Sequence, residues 1–199
     1  GAVFESYWNG GDFVPYEAAE FSRNTERQLT AGPEFILSPI ELRPEPFQTR
    51  LLELIALSRK LGHHRNLLVS ATGTGKTVMA AIDYAGLREA LPRARLLFVA
   101  HREEILAQSL ATFRHCVRDH SFGELWVGRQ RPRAFEHVFA SIQSLTSSGI
   151  ENVEPTHFDV VIVDEFHHAA AKSYRALLDR LKPVELLGLT ATPERSDGL

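Results

Sequence analysis

The chain has 199 residues, 44% of them hydrophobic and 24% charged, with a formal net charge of −3 at pH 7. That length allows one substantial core with an appendage, and the ordinary balance of apolar and charged residues excludes wholesale disorder. The small negative charge excludes a chain-wide basic surface, so any polynucleotide must be held by a local patch or by chain outside these residues.

From Gly1 to about Ser38 the sequence is polar and aromatic, and Gly10, Gly11, Pro15, Pro33 and Pro39 break any long periodicity. This predicts an irregular arm with one short helix. Residues 39–199 are expected to form the globular domain. Thr49 to Leu61 carries apolar residues at 51, 52, 54, 55, 57 and 61, a helical recurrence entered from a turn at Pro44 and Pro46. Beyond Gly62, short apolar runs alternate with longer helical stretches. Leu67–Val69, Leu96–Val99, Val138–Ala140, Val160–Val163 and Leu186–Leu189 read as strands buried on both faces. Lys76–Ala90, Glu103–Val117 and Ala169–Leu181 read as helices. Such alternation predicts an α/β fold, a parallel sheet with helices on both faces and right-handed crossovers. Ligands in such sheets bind at the carboxyl ends of the strands.

Cys116 is the sole cysteine and sits in a helical stretch, which excludes a disulfide framework and points to core packing in a reducing compartment. No apolar run approaches the ~20 residues of a membrane-spanning helix, and no secretory pattern opens the chain. A cytoplasmic protein with no membrane partner is the expectation.

Three short stretches then carry chemistry. Ser70 to Thr77 follows a predicted strand and opens a predicted helix. Gly73 and Gly75 let the loop, with Thr72 and Thr74, turn its N–H groups around phosphates, as in ATP. Lys76 reaches the terminal phosphates and the Thr77 hydroxyl ligates magnesium at a helix start that favours anions. The common pattern begins with glycine, where this chain has Ser70. The bland alternative is a glycine-rich turn with an exposed lysine. Asp164 and Glu165 follow the run Val160–Val163, the first placed to hold magnesium and the second to orient and deprotonate a water. Alone, such acids more ordinarily cap a helix. Thr190-Ala191-Thr192 follows the last strand and is placed to sense the terminal phosphate. His167 and His168 are adjacent, project differently and lack a third ligand, so a zinc site is rejected.

In combination these residues resemble the first motor domain of a superfamily-two helicase or translocase of the DExH type, a RecA-like P-loop NTPase. Asp164-Glu165-Phe166-His167 resembles the acid box of that family and Thr190-Ala191-Thr192 its coupling box. Pro46-Phe47-Gln48 resembles its adenine-recognising motif. Val99 to Leu106 and Ala140 to Leu145 resemble its strand-contacting boxes. Gly188 to Arg195 is similar to bacterial members related to restriction-enzyme R subunits. Phe4 to Asn9 resembles the tail of a phospholipase-D-like domain, without a nuclease motif.

The resemblance implies that Gln48 reads the adenine edge, with Phe47 or Arg43 against the base, and that His101, Arg102, Ser141 and Gln143 touch the backbone of a bound strand. It implies that His167, Thr190 and Thr192 link nucleotide, strand and partner domain, and that DNA is a better candidate than RNA. Phe166 departs from the usual alanine. A second RecA-like domain, expected to supply arginine fingers, lies outside the chain. Two other readings remain open, a duplex translocase of a restriction complex and a non-motor, nucleotide-gated binding module. The run Arg129 to Arg133 reads as a solvated loop rather than a phosphate site.

Overall fold

The computed structural model describes residues 42–147, 150–166 and 172–191. The expected N-terminal arm, His167 and Thr192 lie outside the described residues.

Helix α1 (Pro46–Lys60) begins three residues before its apolar recurrence does. Proline at the first helical position is pre-set for a helix, and the Glu45 N–H donates to the Gln48 side-chain oxygen at 2.9 Å, closing the first turn. Then follow β1 (Arg65–Val69), α2 (Lys76–Ala90), β2 (Leu96–Ala100) and α3 (Glu103–Val117). Helix α3 carries Glu103 and Glu104 in its first turn and Arg114 and His115 in its last, the polarity its dipole favours. The chain continues through β3 (Glu124–Trp126), β4 (His137–Ser141), α4 (Ile142–Ser147) and a 3-10 turn at Ile150–Asn152. Next come β5 (Val160–Val163), α5 (Lys172–Arg180) and β6 (Glu185–Thr190), the last of the described elements.

Among the described residues the six strands are all parallel, in the order β1-β6-β5-β2-β4-β3. Helices α1, α2 and α3 cover one face, where Ile55, Met79, Tyr84, Leu106 and Phe113 pack against Leu68, Phe98, Ile162 and Leu187. Helices α4 and α5 cover the other, where Leu145 and Leu177 meet Val99, Val161, Val163 and Leu186. The fold is therefore the α/β sheet expected from the alternation of runs. Strand β3 and helix α4 are additions to that expectation. Burial pushes the Cys116 thiol up to about 11, in keeping with a packing role.

A buried ionic junction ties α1, α2 and β6 together. Arg59 donates to both carboxylate oxygens of Asp83, at 2.6 and 2.7 Å, and through Nε to Glu185 at 2.9 Å. His64 completes the junction, its Nδ1 lying 2.7 Å from Glu185. Burial pulls the Arg59 guanidinium down, but the two carboxylates outweigh it and raise its pKa above the ordinary value. The side chains of Asp83 and Glu185 are only 8% and 5% exposed, so neither has water to replace the arginine. Arg59→Leu is expected to destabilise the protein by about 3–5 kcal/mol, by leaving two buried carboxylates uncompensated. Urea unfolding measures it, and a loss below about 1 kcal/mol would show the junction to be incidental.

Candidate nucleotide and strand site

Strand β6 lies between β1 and β5, so the three chemical stretches leave the sheet side by side. The register sets Val69 beside Thr190 and Val163 beside Gly188. Adjacent strands stand about 4.8 Å apart, so the carboxyl ends of β1 and β5 are separated by roughly 10 Å, with β6 between them.

The phosphate loop is pre-folded by its own side chains. Gly73 and Gly75 have φ of 81° and 80°, a left-handed backbone that glycine adopts freely. The Thr74 hydroxyl donates to the Ala71 carbonyl at 2.6 Å, so the Ser70 hydroxyl, 2.7 Å from it, is the donor in the second contact. The unusual Ser70 thus braces the loop. Lys76 Nζ donates to the Ser70 and Ala71 carbonyls at 2.9 and 3.1 Å, holding its charge inside the loop. Thr77 follows at the start of α2.

Gln48 is 8% exposed and joins α1 to this loop. Its amide nitrogen donates to the Thr74 carbonyl at 2.8 Å while its oxygen holds the Glu45 N–H. A Cβ on Gly75 would lie 2.7 Å from that nitrogen, so glycine is needed there for close approach as well as for its backbone. Phe47, beside it, leaves nearly half its surface open, at 48%. The loop-bracing role of Gln48 has no signature in the local sequence, because its partner is 26 residues away.

The acid pair sits one strand beyond β6. The Asp164 N–H donates to the Val99 carbonyl at 2.8 Å, carrying the β2–β5 ladder one residue past the strand. The Asp164 carboxylate, 7% exposed as a residue, accepts the Glu165 N–H at 2.9 Å. Glu165 has φ of 53°, a left-handed conformation that costs a non-glycine residue on the order of 1–3 kcal/mol and is characteristic of functional turns. Thr190 is 2% exposed, and its carbonyl accepts the Ser70 N–H at 3.0 Å, joining the coupling strand to the phosphate loop. No cluster of three or more His, Cys, Asp or Glu side chains able to hold a metal occurs among the described residues. One carboxylate and one hydroxyl suit magnesium, which keeps several waters and takes phosphate oxygens rather than a protein cage.

The next two strands bring the second group together. His101 and Arg102 follow β2, and Gln143 lies at the start of α4, after the adjacent β4. All three are exposed. The Gln143 amide nitrogen lies 3.0 Å from His101 Nδ1, so the two boxes touch. Ser141 differs: it is 3% exposed, its hydroxyl donates to Ser144 Oγ at 2.9 Å and accepts the Ser144 N–H at 3.1 Å. It caps α4 and so holds Gln143 from beneath.

The arginine-rich loop folds on itself, Arg131 donating to the Gly128 and Gln130 carbonyls and Glu124 accepting the N–H groups of Arg133, Ala134 and Phe135. A cavity of about 510 Å³ lined by Arg88, Arg93, Arg95, Phe135, His137 and His157 lies by the first residues of β2 and β4, at the opposite end of the sheet from the phosphate loop.

Phe166, where the resemblance leads one to expect alanine, lies over Gly188 of β6. A Cβ added at Gly188 would stand 2.6 Å from Phe166 Cγ and 2.9 Å from Leu67 Cδ1. The aromatic ring thereby locks the acid-box turn to the strand that ends in Thr190. Gly188→Ala is expected to destabilise by about 1–3 kcal/mol through overpacking, and adding Phe166→Ala is expected to recover most of that loss. Equal denaturation midpoints for the single and double variants would contradict this packing.

The family described as the type III restriction enzyme, res subunit, matches residues 41–195. The chain is 31% identical over 166 residues to a putative mitochondrial ATP-dependent helicase, irc3, of Schizosaccharomyces pombe, across 79% of this chain and 27% of that protein. It is 29% identical over 164 residues to the type I restriction enzyme EcoAI endonuclease subunit of Escherichia coli, across 77% and 20%. The chain thus spans about a quarter of the length of these relatives. Among solved structures it resembles the UvsW helicase of bacteriophage T4, with a TM-score of 0.61 and 17% identity over 78% of this chain and 57% of that one. It also resembles the type ISP restriction-modification enzyme LlaGI in complex with a DNA substrate mimic, with a TM-score of 0.60 and 19% identity over 77% and 18%. The fold is shared with these two solved structures, and the chain belongs to the family of the type III restriction enzyme res subunit.

Proposed function

We propose that these residues are the ATP-binding half of a nucleic-acid-dependent motor, a DNA helicase or translocase whose second RecA-like domain lies outside the chain. The observation that carries this reading is the adjacency of β1, β6 and β5, which sets the phosphate loop, the coupling strand and the acid pair at one mouth.

ATP enters with its phosphates in the loop 70–77. Lys76 exchanges its two carbonyl partners for phosphate oxygens, and the loop N–H groups and the start of α2 hold the remaining charge. Phe47 offers an open ring to the base, and the second lone pair and second N–H of the Gln48 amide remain for the adenine edge. Thr77 and Asp164 would hold magnesium, which supplies neutralisation of the developing phosphate charge. Glu165 orients the attacking water and takes its proton. Arginines from the second domain complete the site. Such fingers contribute about 10³–10⁵ in rate, so the 199 residues alone are expected to turn over slowly.

His101, Arg102 and Gln143 form the strand contact, with Ser141 holding Gln143 in place. Contacts of this kind position a backbone without reading its sequence. Because Thr190 is bonded to the loop and Phe166 is packed on Gly188, loss of the terminal phosphate is felt along β6. His167 and Thr192 extend that link. Residues 4–9 are read as the tail of a preceding phospholipase-D-like domain.

The second reading, movement along duplex without strand separation, draws on the similarity to restriction-enzyme subunits. Strand-displacement and triplex-displacement assays on the intact protein separate the two.

ATPase rates of the intact protein, with and without single-stranded DNA, duplex DNA and RNA, test the function. DNA is expected to stimulate more than RNA. Glu165→Gln is expected to lower kcat by about 10²–10⁴-fold with ATP binding retained. Unchanged turnover in that variant, or no stimulation by any polymer, would refute the motor reading.

A further inference from the structure

Tyr174, in the first turn of α5, is 2% exposed and packs in the cluster that contains Val161 and Val163, with Phe166 against it. Its hydroxyl is buried without a hydrogen-bond partner among the described residues. Among the described residues the other buried tyrosine, Tyr84, donates to the Ala94 carbonyl at 2.7 Å. A phenylalanine would fill the Tyr174 site equally well and leave no donor unmet, so packing does not account for the oxygen. The cluster around the ring includes Val163 and Phe166, the residues that flank Asp164 and Glu165 in sequence. Burial first, then the charges of Asp164 and Glu165, push the hydroxyl pKa up to about 12, so it stays protonated and able to donate.

We propose that Tyr174 is a positioning residue of the nucleotide site, whose hydroxyl donates a hydrogen bond to the Asp164 carboxylate once nucleotide and magnesium are in place. The inference rests on the proposed ATPase reading, in which Asp164 serves magnesium. A donor behind a metal-binding carboxylate fixes its orientation, and loss of such a partner typically costs about 10–100-fold in metal affinity or activity. The unmet hydroxyl is then a donor held in reserve for the Asp164 carboxylate.

Tyr174→Phe in the intact protein tests this, because the ring and its packing are kept. The probe is a fluorescent, non-hydrolysable ATP analogue titrated at increasing magnesium. The magnesium midpoint for analogue binding is expected to rise about tenfold, kcat to fall with the ATP KM at saturating magnesium little changed, and the ligand-free melting temperature to stay level or rise. An unchanged magnesium midpoint overturns the inference, whether the melting temperature holds, as for a passive core tyrosine, or falls, as for a hydroxyl bound to a buried water. If the wild-type protein shows no ATPase that Glu165→Gln removes, the functional reading fails and this inference with it. If that ATPase is present and Tyr174→Phe leaves magnesium dependence unaltered, only the inference fails.

Discussion

The hydrogen-bonded insertion of β6 between β1 and β5 is the constraint on which the rest of this molecule depends. Without it the loop 70–77 and the acid pair would leave neighbouring strands, one spacing of about 4.8 Å apart. With it, two strand spacings separate cation from anions, and a strand carrying Gly188 and Thr190 occupies the gap. Strand β6 is the last in sequence of the described strands and inserts between two earlier ones, which gives the junction of Arg59, Asp83 and Glu185 a clear purpose. It fastens the first residue of β6 to α1 and α2 at the end of the sheet remote from the site.

Preorganisation explains much of the local chemistry. An empty phosphate loop with an unsatisfied lysine and outward carbonyls would be poorly defined. Here Lys76 satisfies the carbonyls of Ser70 and Ala71, Thr74 bonds Ala71, and Gln48 holds the Thr74 carbonyl from outside. On the proposed reading, phosphate entry exchanges one set of charge-assisted bonds for another, without requiring the loop to fold around it. The acid side is preorganised differently, by backbone strain at Glu165 held in place by the Phe166 ring on Gly188.

Much of this was legible in the sequence, and the parts that were not share a cause. Helices α2 and α3 have the limits that the apolar periodicity predicts, and the strand cores were visible as apolar runs because a two-faced parallel sheet leaves no alternation to confuse them. Strand β3 was hidden because three residues between Gly123 and Gly128 carry no period, and α4 because its six residues follow β4 without a break. Gln48 and Ser70 were seen as motif positions, but their bracing of the loop depends on partners that only the folded chain brings near. Phe166 read as a departure from its family and is matched by the absent side chain of Gly188, 22 positions on. Tyr174 gave no signal at all, since a tyrosine in an amphipathic helix is ordinary until its hydroxyl is found without a partner.

On the proposed function, Lys76, Thr77, Asp164 and Glu165 converge on one magnesium triphosphate. A crystal structure with magnesium and a non-hydrolysable ATP analogue tests it most directly. Lys76 Nζ is expected to leave the Ser70 and Ala71 carbonyls for phosphate oxygens, with the metal held by Thr77 and Asp164, and with Glu165 facing the terminal phosphate. A nucleotide bound with Lys76 still on those carbonyls, or with Asp164 and Glu165 turned away from the phosphates, would contradict it.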